Sequence, residues 1–83
     1  MFHAAKNTEM HKYDVLDGCY GVVTSRSRND VYLTLDNGEY AFAHKFGNLL
    51  PGTEVLCMVK RLATDEKRML VCIESVTRYP EAA

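Results

Sequence analysis

No run of ~18 or more apolar residues occurs in this chain, so no segment of it can cross a bilayer as a helix. Residues 1–13 mix Lys6, His11 and Lys12 with Asn7 and Glu9 and lack the apolar stretch of a secretion signal. A cytoplasmic protein without a membrane partner is the expectation. Net charge is also missing: 10 lysines and arginines against 11 carboxylates leave −1. A chain that coats duplex DNA electrostatically is strongly basic, so any nucleic-acid site here must be a local patch helped by base stacking.

Catalytic signatures are absent as well. No glycine-rich phosphate loop is present, and Ser25 and Ser27 lie in a polar turn without the glycine elbow of a nucleophile. Asp14 with Asp17, or Asp65 with Glu66, are the available carboxylate pairs, but neighbours along a strand point to opposite faces. Catalysis is not expected. Cys19, Cys57 and Cys72 are an odd number and form no C-x-x-C pair. Together with His3, His11 and His44 they show no metal-ligand spacing. The reading is three buried free thiols acting as small apolar side chains in a reducing compartment, with no metal and no cofactor.

What remains is a chain of 83 residues, enough for one domain. At 47% hydrophobic it can build a core rather than stay disordered. From Cys19 onward the pattern is of short β segments. Residues 21–24 (Gly-Val-Val-Thr) are β-branched and are interrupted by the polar stretch 25–30. Val31, Leu33 and Leu35 alternate with Tyr32 and Thr34, placing the first three on a buried face. Asp36-Asn37-Gly38 supplies the positive φ of a tight hairpin, and residues 39–43 return as a third strand carrying Tyr40 and Phe42.

Residues 44–50 read as a loop or a single helical turn, closed by the turn pair Pro51-Gly52. Residues 53–62 form a long strand with Val55, Cys57 and Val59 on one face. Residues 63–68 are a charged hairpin, and residues 69–77 a last strand with Met69, Val71 and Ile73 inward. Five short strands without an internal repeat predict a small closed barrel over residues 14–79, since closure removes exposed sheet edges. Residues 1–13 read as a mobile tail or a short helix, and residues 80–83 as a frayed end.

The order of these pieces resembles the S-one type RNA-binding domain, named after a ribosomal protein. The resemblance covers residues 21–73 and rests on Gly-x-Val-Thr at 21–24, Tyr32-Leu33, Asn37-Gly38 and Phe42-Ala43-His44. Pro-Gly-x-x-Val at 51–55 and the charged hairpin with its arginine-led strand at 65–73 complete it. It implies an all-β, five-stranded closed Greek-key barrel of the OB-fold type. The implied function is non-catalytic binding of single-stranded RNA, with the ribosome or an RNA-processing protein as a further partner. Carried over by position, Tyr32 is the outward aromatic of strand two, His44 closes strand three, Arg68 opens strand five and Asp65 lies at the acidic hairpin position. The chain departs from the pattern at Val22, Asn29 and Ala41, and at Tyr40, where an acidic residue is common.

Strand parity also turns Tyr20 outward, so Tyr20 and Tyr32 are expected to form a two-ring stacking platform on one outer wall. Arg26, Arg28 and Lys45 are candidate phosphate contacts at one rim, and Lys60, Arg61 and Lys67 at another. A second reading uses the outward Leu56 and Met58 of strand four. These apolar positions call for cover, expected from Val15, Leu16 or Phe2, or else for a protein partner.

Overall fold

The computed structural model describes residues 12–44 and 47–80. Residues 1–11 and 81–83 lie outside the described residues, and with them most of the expected N-terminal segment, Phe2 included, and the chain's last residues. Five strands make up the fold: β1 (Gly18–Arg26), β2 (Asp30–Leu35), β3 (Tyr40–His44), β4 (Glu54–Arg61) and β5 (Met69–Arg78). No helix occurs among the described residues. The strands close in the order β1-β2-β3-β5-β4, with β3 and β5 parallel and every other pair antiparallel. The result is an OB-like barrel, as the alternation in the sequence predicts.

Strand parity decides what lies inside. In β2, Val31, Leu33 and Leu35 are buried and Asp30, Tyr32 and Thr34 alternate with them on the outer face. The same two-residue period buries Val55, Cys57 and Val59 of β4 and Met69, Val71 and Ile73 of β5. β3 contributes only Ala41 and Ala43 to the interior. Small side chains there leave room for Leu33, Leu35 and Met69, the largest fully buried side chains. Each such apolar side chain contributes about 1.5–3 kcal/mol by leaving water. Leu49 adds a buried side chain from the β3–β4 connection, while its neighbour Leu50 is exposed.

Turns follow their residues. Gly38 takes φ 93° and its N–H donates to the Leu35 carbonyl, with the Leu35 N–H donating to the Glu39 carbonyl. Only the glycine has positive φ, so the β2–β3 hairpin uses a three-residue loop rather than a two-residue primed turn. Pro51-Gly52 is a type II arrangement: the Thr53 N–H donates to the Leu50 carbonyl and Gly52 holds φ 96°.

Three expectations need correction. β1 runs through the polar Ser25 and Arg26, because β2 offers them Tyr32 and Val31 as ladder partners. A bulge at Thr24 absorbs the register change between Val23 and Ser25. Cys72 is exposed, since β5 parity sends it outward opposite Met58. Cys19 and Cys57 are buried as expected and face each other across β1 and β4. The hydrogen bond with Cys19, together with burial, pushes the Cys57 thiol well above the ordinary thiol range. Finally, Val15 and Leu16 do not bury themselves over β4. Both are exposed, Leu16 in a turn at φ 77° whose N–H donates to the Val59 carbonyl.

Candidate nucleic-acid interface

The outer wall over β2 and β3 carries Tyr32, Tyr40, Phe42 and His44 outward. Pairing of the two strands sets Tyr32 directly opposite Phe42, Asp30 opposite His44 and Thr34 opposite Tyr40. Directly opposed residues on one face hold their Cβ atoms about 4.5–5.5 Å apart, close enough for the rings to form one surface. Phe42 continues to His44 in an edge-to-face contact, with ring centroids 6.0 Å apart and planes at 83°. The His44 Nδ1 lies 3.1 Å from the Asp30 carboxylate, which holds the imidazole at the upper end of the wall.

Each central ring carries a guanidinium. Arg68 lies over Tyr32 with Cζ 5.5 Å from the ring centroid, and Arg61 lies over Phe42 at 5.9 Å. Both are within the range of a cation–π contact, about 0.5–1 kcal/mol at an exposed site. Arg61 also donates from Nη2 to the Arg68 carbonyl at 3.0 Å, so the two arginines are tied to one another. The short parallel seam brings them here: Phe42 pairs with Leu70 of β5, and Leu70 pairs with Arg61 of β4. An open groove of about 430 Å³ results, lined by Asp30, Tyr32, Phe42, Arg61, Lys67 and Arg68. Its size falls within the roughly 300–1,000 Å³ of small-ligand sites.

Of the residues proposed from sequence, Tyr32, His44 and Arg68 come together on this wall. Tyr20 does not join them. It lies opposite Leu56 of β4, and its carbonyl accepts the Asp36 N–H, four residues along β2 from Tyr32. At about 3.4 Å per residue that is some 14 Å away, so the expected Tyr20–Tyr32 platform is not formed. Arg26 donates weakly to the Leu49 carbonyl at 3.5 Å. Arg28 is exposed in the β1–β2 loop, beyond the Asp30–His44 end. Lys45 lies outside the described residues. Asp65 is exposed in the β4–β5 hairpin and lines a neighbouring groove with Tyr40, not the one between Tyr32 and Phe42.

Phe42 and Arg61 are central, yet sequence reasoning left Phe42 unassigned and placed Arg61 only on a rim. A signal was available in Tyr-Ala-Phe-Ala-His at residues 40–44. The alanines mark the buried parity, so the three rings must face outward. Leu56 and Met58 are half-buried on the other side of the barrel, beside the exposed Tyr20. No group of three or more metal-ligating side chains is placed to hold an ion among the described residues.

No protein-family profile matches the chain, and no curated protein matches it.

Proposed function

We propose that this protein is a non-catalytic module that binds single-stranded RNA on its β2–β3 wall. The observation that carries this reading is the directly paired Tyr32 and Phe42, each with an arginine within 6 Å of its ring. Bases stack on such rings with little sequence preference, contributing about 1–3 kcal/mol each. Arg61, Lys67 and Arg68 supply positive charge beside them for phosphates, in a chain whose net charge is only −1. Arginine suits this work because its planar guanidinium both stacks and forms forked hydrogen bonds to phosphate oxygens. Kinship with the S-one type domain is part of the proposal, supported by the order of motifs along residues 21–73 and by the OB-like strand order.

Titration of a labelled single-stranded oligoribonucleotide at two salt concentrations tests the reading. Binding that weakens as salt rises, and that is lost in Tyr32→Ala, is expected. Absence of binding at low salt would refute it. A second reading, docking of a protein partner, is favoured by one observation. Leu56 and Met58 form a half-buried apolar strip next to exposed Tyr20. Under that reading substitutions at Leu56 abolish function while RNA affinity is unchanged.

A further inference from the structure

Tyr40 stands out on the same wall. It is 75% exposed, the most open of the large hydrophobic side chains among the described residues. Its position follows from β3 parity, which sends Tyr40, Phe42 and His44 outward around the buried Ala41 and Ala43. Across the ladder Tyr40 faces Thr34, a small partner that leaves the ring uncovered. Relative to Tyr32 it is the diagonal neighbour, about 7–8 Å away and within reach of aromatic side chains. Phe42, Tyr32 and Tyr40 thus alternate across two strands on one outer face.

A second groove runs along this extension. It holds about 640 Å³ and is lined by Thr24, Ser25, Tyr32, Tyr40, Ala41 and Arg68. Arg68 lines this groove as well as the one between Tyr32 and Phe42. The bulge in β1 leaves both Thr24 and Ser25 beside Tyr32, and the Thr24 hydroxyl donates to the Tyr32 carbonyl at 3.2 Å. Beyond Tyr40 the character changes. Glu39, Asp65 and Glu66 line the next hollow together with Lys67 and Arg68, and Glu39 is held there by the Asn37 side chain, whose Nδ2 donates to Oε1 at 2.6 Å.

We infer that Tyr40 is an additional base-stacking subsite at the end of the RNA footprint, reached past Arg68 and ending with the last outward ring of β3. This rests on the RNA-binding reading and specifies how far the bound strand extends. Stacking is indifferent to base identity, so the subsite adds affinity rather than sequence preference. No ring follows Tyr40 at its end of β3 among the described residues, so the gain from lengthening the strand stops there.

The test is a length series of oligouridylates, from about 2 to 8 nucleotides, around the lower end of OB-fold site sizes of about 4–16. Affinities are measured for the unaltered chain and for Tyr40→Ala, Tyr40→Phe and Tyr32→Ala. Folding of each is verified by thermal melting. Tyr40→Ala should weaken binding of the longer oligomers at least about fivefold and bring the affinity plateau about one nucleotide earlier. Tyr40→Phe, which keeps the ring, should behave as the unaltered chain. If Tyr32→Ala abolishes binding while Tyr40→Ala stays within about twofold with the same plateau, the subsite is refuted and the RNA-binding reading survives. If the unaltered chain binds no oligomer of any length, both are refuted.

Discussion

Replacing Phe42 by leucine separates the stacking role of this ring from its role in packing. Leucine keeps most of the apolar cover on a half-buried position but has no π face. The folded state loses an edge-to-face contact with His44 and a cation–π contact with Arg61. The first is worth about 0.5–1.5 kcal/mol and the second about 0.5–1 kcal/mol at exposed sites. A stability loss of about 1–2.5 kcal/mol follows, small against the roughly 5–15 kcal/mol typical of a domain. RNA affinity should fall further than stability alone requires. A stacked base is worth about 1–3 kcal/mol, but it must displace or share the guanidinium already over Phe42. The net increment then sits near 1–2 kcal/mol, about a 5- to 30-fold loss. Urea denaturation monitors the first quantity and fluorescence anisotropy with a labelled oligoribonucleotide the second. A folded Phe42→Leu chain with undiminished RNA affinity would remove this wall from consideration as the binding surface.

Further expectations concern charge, pH and backbone. With Arg61, Lys67 and Arg68 contacting phosphates, log affinity should fall with log salt at a slope near −2, about 0.7 per contact for single strands. Arg68→Ala should flatten that slope by about 0.7, and an unchanged slope would exclude it from phosphate contact. The Tyr13 hydroxyl donates to the Asp36 carboxylate; burial first, then that hydrogen bond and the nearby negative charge, push its pKa well above the ordinary 10. Because the folded value is the raised one, the associated stability is intact below about pH 10 and is lost as pH climbs through the folded value. Melting curves across this range should therefore converge with those of Tyr13→Phe, which starts about 1.5 kcal/mol less stable at neutral pH. Gly52→Ala should cost about 1–2 kcal/mol, because φ is 96° and a Cβ would sit 3.2 Å from Pro80 Cβ. Denaturant midpoints equal to the parent's would contradict that. Leu56→Glu should leave RNA affinity within about twofold, since it lies across the barrel from Phe42.

Much of the barrel is written in local pattern. The two-residue period of Val31, Leu33 and Leu35 recurs at Val55, Cys57 and Val59, and at Met69, Val71 and Ile73, and each set is buried. A period of two needs no knowledge of neighbours, because the backbone pleat alone sends alternate side chains to opposite faces. The same rule correctly turned Tyr20, Tyr32 and His44 outward. It could not say which outward residues meet. Tyr20 and Tyr32 share a parity, yet the ladder sets Tyr20 against Leu56 and Tyr32 against Phe42.

By itself, then, the sequence determined the strands apart from the polar end of β1, their inward faces and the turns at Gly38 and Gly52, all of which depend on residues within a few positions of one another. Tertiary structure alone decided the site. Closing the barrel through the parallel β3–β5 seam is what carries Arg61 and Arg68, from two different strand ends, onto rings belonging to β2 and β3. Registers between strands distant in the chain are set by collective packing of the core, and no local periodicity encodes them.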